Sequence, residues 1–162
     1  MQSDNIKSII SKSNLLATLI LFLIFILDRI SKIKIIEILE NKDILIINNF
    51  LNFNLTFNTG IGFGLFNTQE EFYYNLISFF IFCIILFIFY LMYKSDNFEK
   101  FYFSLIIGGA TGNLYDRIVY SSVADFIDFH VNSYHWFTFN IADIFITLGV
   151  ILILIKEILI KK

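Results

Sequence analysis

Two aspartates in this chain could act together on water: Asp125, in a short polar stretch, and Asp143, within the apolar run Phe139-Asn140-Ile141-Ala142-Asp143-Ile144-Phe145. Two carboxylates held close resist ionising together, so near neutral pH one keeps a proton while the other is charged. The ionised member can take a proton from water as it attacks a carbonyl, and the protonated member can donate to the carbonyl oxygen. That is the chemistry of an aspartyl peptidase. The apparent pKa values of such a pair belong to both groups jointly. Spacing by itself leaves a second reading open, in which Asp143 hydrogen-bonds a neighbouring helix and Asp125 is a solvated loop acid.

The elements that must position these groups are set by composition. Of 162 residues, 57% are apolar, 21 are Phe and none is Pro, and the mean hydropathy is +0.75. Whole stretches of about 20 residues lack the polar face that a water-exposed helix needs. The expected class is an all-α membrane protein, a single domain over residues 1–162 with four transmembrane helices near 14–34, 72–93, 101–120 and 138–160. Lys7 and Lys12 ahead of the apolar core from Leu15 to Leu27 look like a secretory signal peptide. Asp28-Arg29 stands where a small-residue cleavage site would be, so the segment reads as an uncleaved helix. A net charge of −2 with scattered lysines gives no basic footprint, and no nucleic-acid partner is expected. Cys83, alone in an apolar run, cannot form an internal disulfide and reads as a small hydrophobe.

Cation placement orients the spans. With the N-terminus in the cytoplasm, the inner side carries Lys7, Lys12, Lys94, Lys100, Lys156, Lys161 and Lys162. The outer loops carry Lys34 and Lys42, with Arg29, Lys32 and Arg117 near helix ends, so the bias favours both termini inside. In that orientation Asp28, Asp116 and Asp143 all fall near the outer leaflet, and Asp125, in the short outer loop between spans three and four, can fold back to the same level. An ionisable group near the bilayer centre costs about 2.5–3.5 kcal/mol on insertion scales, so several at one depth point to a function. Between spans one and two, Asn52 to Asn58 alternates strictly between polar and apolar residues. Together with Ile44 to Ile47 and a turn at Asn48-Asn49, it predicts a β-hairpin on the outer surface.

Other polar residues carry weaker signals. Gly108-x-x-x-Gly112 is a small-residue face that lets helices approach closely. Asp116-Arg117 reads as a neutralised ion pair at a helix end, and Asp28 with Lys32, one turn apart, as a local salt bridge. Asn113 and Asn140 suit interhelical hydrogen bonds, and Asn58-Thr59-Gly60 suits a turn after a strand. His130 and His135 lie in a wet loop at a poor helical spacing for a shared metal, and no role is assigned to them.

Several of these segments, in order, resemble the motifs of lipoprotein signal peptidase, also called signal peptidase II, peptidase family A8. They are Leu27-Asp28-Arg29-Ile30-Ser31-Lys32, Asn58-Thr59-Gly60, Gly108 to Arg117, Val123-Ala124-Asp125-Phe126-Ile127-Asp128-Phe129 and Phe139-Asn140-Ile141-Ala142-Asp143. The resemblance implies a multi-pass aspartyl endopeptidase of the bacterial cytoplasmic (inner) membrane, with four helices and a small extracytoplasmic β-cradle. It would remove the signal peptide from diacylglyceryl-modified prolipoproteins, cleaving before the lipidated Cys, with its site toward the outer leaflet. Asp125 and Asp143 match the family's catalytic pair. Asn113 and Asn140 match polar residues beside it, Asn58 and Gly60 the substrate-contacting outer motif, and Asp28 with Lys32 the supporting pair of the first helix. Asp116 and Arg117 fall in the third-span motif. The implied partners are the prolipoprotein and membrane phospholipid; a monomer with no metal and no organic cofactor is expected.

The chain departs from that family's usual pattern in three places. Ile61 and Gly62 stand where small Ala residues are commoner, Ala124 replaces a common Val, and no Pro precedes Phe139-Asn140. None of these removes a reactive group. Two rival classes predict other patterns. A small proton-coupled transporter would need ionisable groups across the whole membrane depth, and the inner halves of the spans nearly lack them. An assembly subunit would leave the Asp125–Asp143 pair without a purpose.

Overall fold

A cap on each side of the polar joints decides where the helices start. In the computed structural model, which describes residues 11–60 and 71–160, α1 (Lys12–Leu39) begins after Ser11, whose hydroxyl accepts from the Asn14 amide at 3.2 Å. α2 spans Glu71–Lys94 and α3 spans Asn97–Tyr120. Asp96 caps α3, accepting from the amides of Phe98 and Glu99, both at 2.9 Å. α4 spans Ile141–Ile160. These four helices fall on the four expected apolar segments. Lys7, Lys161 and Lys162 of the charge argument, and the departures at Ile61 and Gly62, lie outside the described residues.

The class is not all-α. The expected hairpin is present as β1 (Ile44–Asn48) and β2 (Leu51–Asn58), turning at Asn49-Phe50. The segment between α3 and α4, expected as a loop running into a span from residue 138, instead forms β3 (Val123–Val131) and β4 (Tyr134–Phe139). The four strands make one antiparallel sheet in the order β1-β2-β3-β4. β3 escaped detection because it is hydrogen-bonded on both sides and buried continuously from Val123 to Asp128, so it lacks the polar–apolar alternation of a half-exposed strand. Asn132, with φ 55°, makes the turn into β4, a left-handed conformation that Asn tolerates. Ile35 and Leu39 at the end of α1 pack with Phe126 and Ile127 of β3, seating the sheet on the helices.

α3 is the central helix and touches the other three. Its glycines permit the approach: a Cβ on Gly108 would lie 2.8 Å from the Leu21 carbonyl oxygen of α1, and one on Gly109 2.5 Å from the Ala142 carbonyl oxygen of α4.

The polarity of the helices is inverted relative to a water-soluble fold. Leu15, Phe22, Phe79, Phe87 and Ile158 are more than half exposed, whereas Asp28, Lys32, Ser104, Asp116 and Asn140 are fully buried. Lipid is the solvent that accepts such a surface. Among the described residues, one helix, α2, is by length and composition apolar enough to cross a membrane, with charge only at its ends, Glu71 and Lys94. The other three carry buried ionic groups or more terminal charge. Along the sheet edge, Tyr134 and Trp136 of β4 turn outward.

Candidate active site

The first turn of α4 is held by a reciprocal cap. The Asn140 side-chain oxygen accepts from the Asp143 amide at 3.1 Å, and the Asp143 carboxylate accepts from the Asn140 amide at 3.1 Å. This is a capping box with Asp in the place usually taken by Glu or Gln, and it fixes the Asp143 rotamer at the helix N-terminus, where a negative charge is favoured. The remaining Asp143 oxygen accepts from Asn113 of α3 at 2.9 Å.

The same Asn140 reaches the second acid. Its side-chain NH2 donates to Asp125 Oδ1 at 2.6 Å, while Asn58 of β2 donates to Asp125 Oδ2 at 3.0 Å. Asn140 therefore contacts both carboxylates, Asp125 through its side-chain NH2 and Asp143 through its backbone N–H. Burial pushes the Asp125 carboxyl up to about 6, the neighbouring Asp143 charge adds to that, and the Asn58 and Asn140 donors partly offset it. A proton is thus retained at Asp125 well above the range of an ordinary carboxylate.

Behind the pair lies a buried ionic cluster. Lys32 Nζ sits 2.8 Å from Asp28, 2.7 Å from Asp116 and 2.8 Å from Asn113 Oδ1, and Arg29 also meets Asp116. Two cations face two acids, so the cluster is balanced. The Asn113 side chain spans the gap, accepting from Lys32 with its oxygen and donating to Asp143 with its nitrogen. Asp28 supports α4 directly, accepting from the Ala142 amide at 3.0 Å. Gly112 makes room for it, since a Cβ there would lie 2.5 Å from Asp28 Oδ2.

The expected Asp116–Arg117 pair does not form. Neighbours in a helix point about 100° apart and cannot face each other, so Asp116 turns to α1 and Arg117 to the other side. There Arg117 donates to the Gly60 carbonyl, and its own carbonyl accepts from Tyr74 at 3.3 Å. Asn58 Oδ1 accepts from the Gly60 amide at 2.8 Å, closing the turn after β2. Arg29, Tyr74 and Ala142 were missed as site supports because their partners are distant in sequence.

A cavity of about 250 Å³ opens onto this array, lined by Asn58, Asn113, Arg117, Asp125 and Asp143 with apolar walls from Ile81, Ala110, Val123 and Ile146. Asp143 and Thr147 also border a second, larger and mostly apolar cavity of about 480 Å³ beside Phe129, Trp136, Phe137 and Phe139. The expected site residues are thus brought together: Asp125, Asp143, Asn58, Asn113 and Arg117 line one cavity, Gly60 and Asn140 are hydrogen-bonded to residues that line it, and Asp28, Lys32 and Asp116 form the cluster that meets it through Asn113. Such an array can hold one shared proton at a small cavity with polar side chains at one wall, beside an apolar slot.

Residues 20–159 match the family described as signal peptidase (SPase) II. A lipoprotein signal peptidase of Pelagibacter ubique (strain HTCC1062) is 45% identical over 148 residues, covering 90% of this chain and 89% of that protein. A lipoprotein signal peptidase of Thermodesulfovibrio yellowstonii is 36% identical, covering 85% of this chain and 90% of that protein. The fold is similar to a solved bacterial membrane enzyme, determined by the in meso method at 2.3 Å, with a TM-score of 0.70, 30% identity and coverage of 88% of this chain and 87% of that one.

Proposed function

Since the chain belongs to the signal peptidase II family, we propose that it is an aspartyl endopeptidase that removes signal peptides from diacylglyceryl-modified prolipoproteins, cutting before the lipidated Cys. The observation that carries this reading is that Asn140 is hydrogen-bonded to both Asp125 and Asp143, whose side chains line one cavity of about 250 Å³.

The reaction follows from that geometry. One carboxylate removes a proton from water as the oxygen attacks the scissile carbonyl, and the protonated carboxyl donates to the carbonyl oxygen, giving a neutral diol. Collapse of the diol expels the amine of the lipidated Cys, which takes a proton from the carboxyl that had removed one from water, while a diol hydroxyl returns its proton to the carboxylate that had donated to the carbonyl oxygen. The pair returns to its singly protonated state. The buried Arg117 keeps one guanidinium nitrogen without a partner among the described residues, which suits it to a substrate carbonyl. The apolar cavity beside Asp143 suits an acyl chain or the apolar signal-peptide segment.

Orientation supports the same reading. The inverted polarity of the helices supports four membrane crossings and the cation bias both termini inside; the polar cluster would then lie toward the outer leaflet, the depth at which a diacylglyceryl anchor would present the bond. The enzyme would act as a monomer on its prolipoprotein within phospholipid. An extended peptide could pair with a sheet edge, which among the described residues β1 and β4 offer and the doubly paired β2 does not.

The test is cleavage of a diacylglyceryl-modified prolipoprotein in liposomes by purified wild type, Asp125→Asn and Asp143→Asn, with folding checked by thermal melting. Loss of cleavage in both folded variants is expected; retained cleavage in either would remove the pair from the mechanism.

A further inference from the structure

Three titratable side chains of the sheet have no part in the chemistry above. Asp128 and His130 lie on β3 and His135 on β4, where His130 and His135 are cross-strand partners. Their separation in sequence is unsuitable for one helix, but the strand register brings them together. One ligand atom from each of the three lies within 4.8 Å of the others. The two imidazoles stack with centroids 5.1 Å apart, and His135 Nδ1 faces both Asp128 oxygens, at 3.0 and 2.8 Å.

Two further atoms lack an explanation. His130 is nine-tenths buried, and its Nδ1 has no hydrogen-bond partner among the described residues. The Asn52 side-chain oxygen, equally buried and directly opposite Asp128 across β2 and β3, has none either. Orphaned buried acceptors cost about 1–3 kcal/mol each unless something occupies them. An imidazole nitrogen, an amide oxygen and a carboxylate oxygen all offer lone pairs, the donor types that metal cations take.

We infer that Asp128, His130 and His135 form a binding site for a divalent transition metal of the zinc class, with the Asn52 oxygen as the fourth donor. Two imidazoles and one carboxylate are a donor set suited to Zn2+, Ni2+ or Cu2+ and poorly suited to Mg2+ or Ca2+. Zinc–nitrogen bonds of about 2.0–2.1 Å need the donors drawn closer than 4.8 Å. His135, with its side chain 54% exposed, has the freedom to close that gap. The ion would staple β2, β3 and β4 three residues along the strand from Asp125. It takes no part in the proposed proton transfers, and the site does not depend on the peptidase reading.

The test uses the full chain purified in detergent with any affinity tag removed; His130 and His135 are its only histidines. Zn2+ titration followed by calorimetry and by thermal melting should give one ion per chain and a rise in melting temperature. Co2+ should give the visible absorption of a four-coordinate site. His135→Gln, at an exposed position, and Asp128→Asn should each weaken binding at least about tenfold, the scale at which second-shell changes already act, and abolish the melting shift. Absence of saturable Zn2+ binding by wild type, or equal binding by the folded His135→Gln variant, would overturn the site and leave Asp128–His135 as a hydrogen-bonded pair only.

Discussion

Asn140 donates to Asp125 through its side-chain nitrogen at 2.6 Å while its side-chain oxygen accepts from the backbone amide of Asp143. The amide cannot rotate by half a turn without placing its oxygen against the Asp125 carboxylate. Each acid therefore fixes the orientation that serves the other. Replacing Asn140 by Ala should remove the helix cap and leave Asp125 without its shorter donor. The expected loss is about 1–3 kcal/mol of stability and on the order of 100-fold in kcat. Chemical unfolding in detergent and steady-state cleavage would measure the two separately, and unchanged kcat would show that Asn140 serves the helix alone.

Asp125 makes stability depend on pH in a stated direction. Its carboxyl is held at about 6 in the folded protein against an ordinary value of 3.8, so the folded state binds this proton more tightly than the unfolded chain does. The stabilisation is complete below about 3.8 and is lost as pH rises through about 6. Thermal melting across that window should show wild type losing stability relative to Asp125→Asn. Parallel curves for the two proteins would contradict the raised value.

Lys32 is expected to be the residue whose loss the cluster tolerates least. Lys32→Met would leave the fully buried Asp28 and Asp116 with Arg29 as their remaining cation. Breaking one partner from a buried ionic group costs about 3–5 kcal/mol. Adding Asp28→Asn should restore part of that loss, and a double-mutant cycle by denaturant unfolding reads the recovery directly. Additive effects would show that the two side chains do not interact.

Gly112→Ala tests the packing beneath the pair. The new Cβ, 2.5 Å from Asp28 Oδ2, forces Asp28 away from the Ala142 amide it supports. Overpacking of this kind costs about 1–3 kcal/mol. Because the displaced group holds the first turn of α4, cleavage should fall more than stability alone explains. Cleavage measured well below the variant's melting temperature decides this, and wild-type activity there would argue that Asp28 is purely structural.

Much of this arrangement could be read before any coordinates. The helices were visible because lipid-facing residues are apolar on every exposed side, and the acids stood out against that background. The hairpin was visible because Asn52 to Asn58 alternates. β3 was hidden by its own burial, and β4 by merging with the apolar run of α4. The partner of Asp116 was hidden because sequence adjacency suggested Arg117, whereas helix geometry sends it to Arg29 and Lys32. The joint at Asn140 was legible in part: an Asn three residues before an Asp at a helix start is a capping pattern, but nothing local announces its second bond to Asp125.

The outward rings of β4 have a bearing on where the bond is cut. Tyr134 and Trp136 combine an apolar body with a polar tip and are most stable at the level of lipid headgroups. β4 runs without a spacer through Asn140 into the turn that carries Asp143. Under the proposed function those rings would serve as a waterline for the molecule: they would hold Asp125 and Asp143 at a constant draught below the surface, so that distance from the headgroups, as much as side-chain fit, would select the peptide bond that is reached.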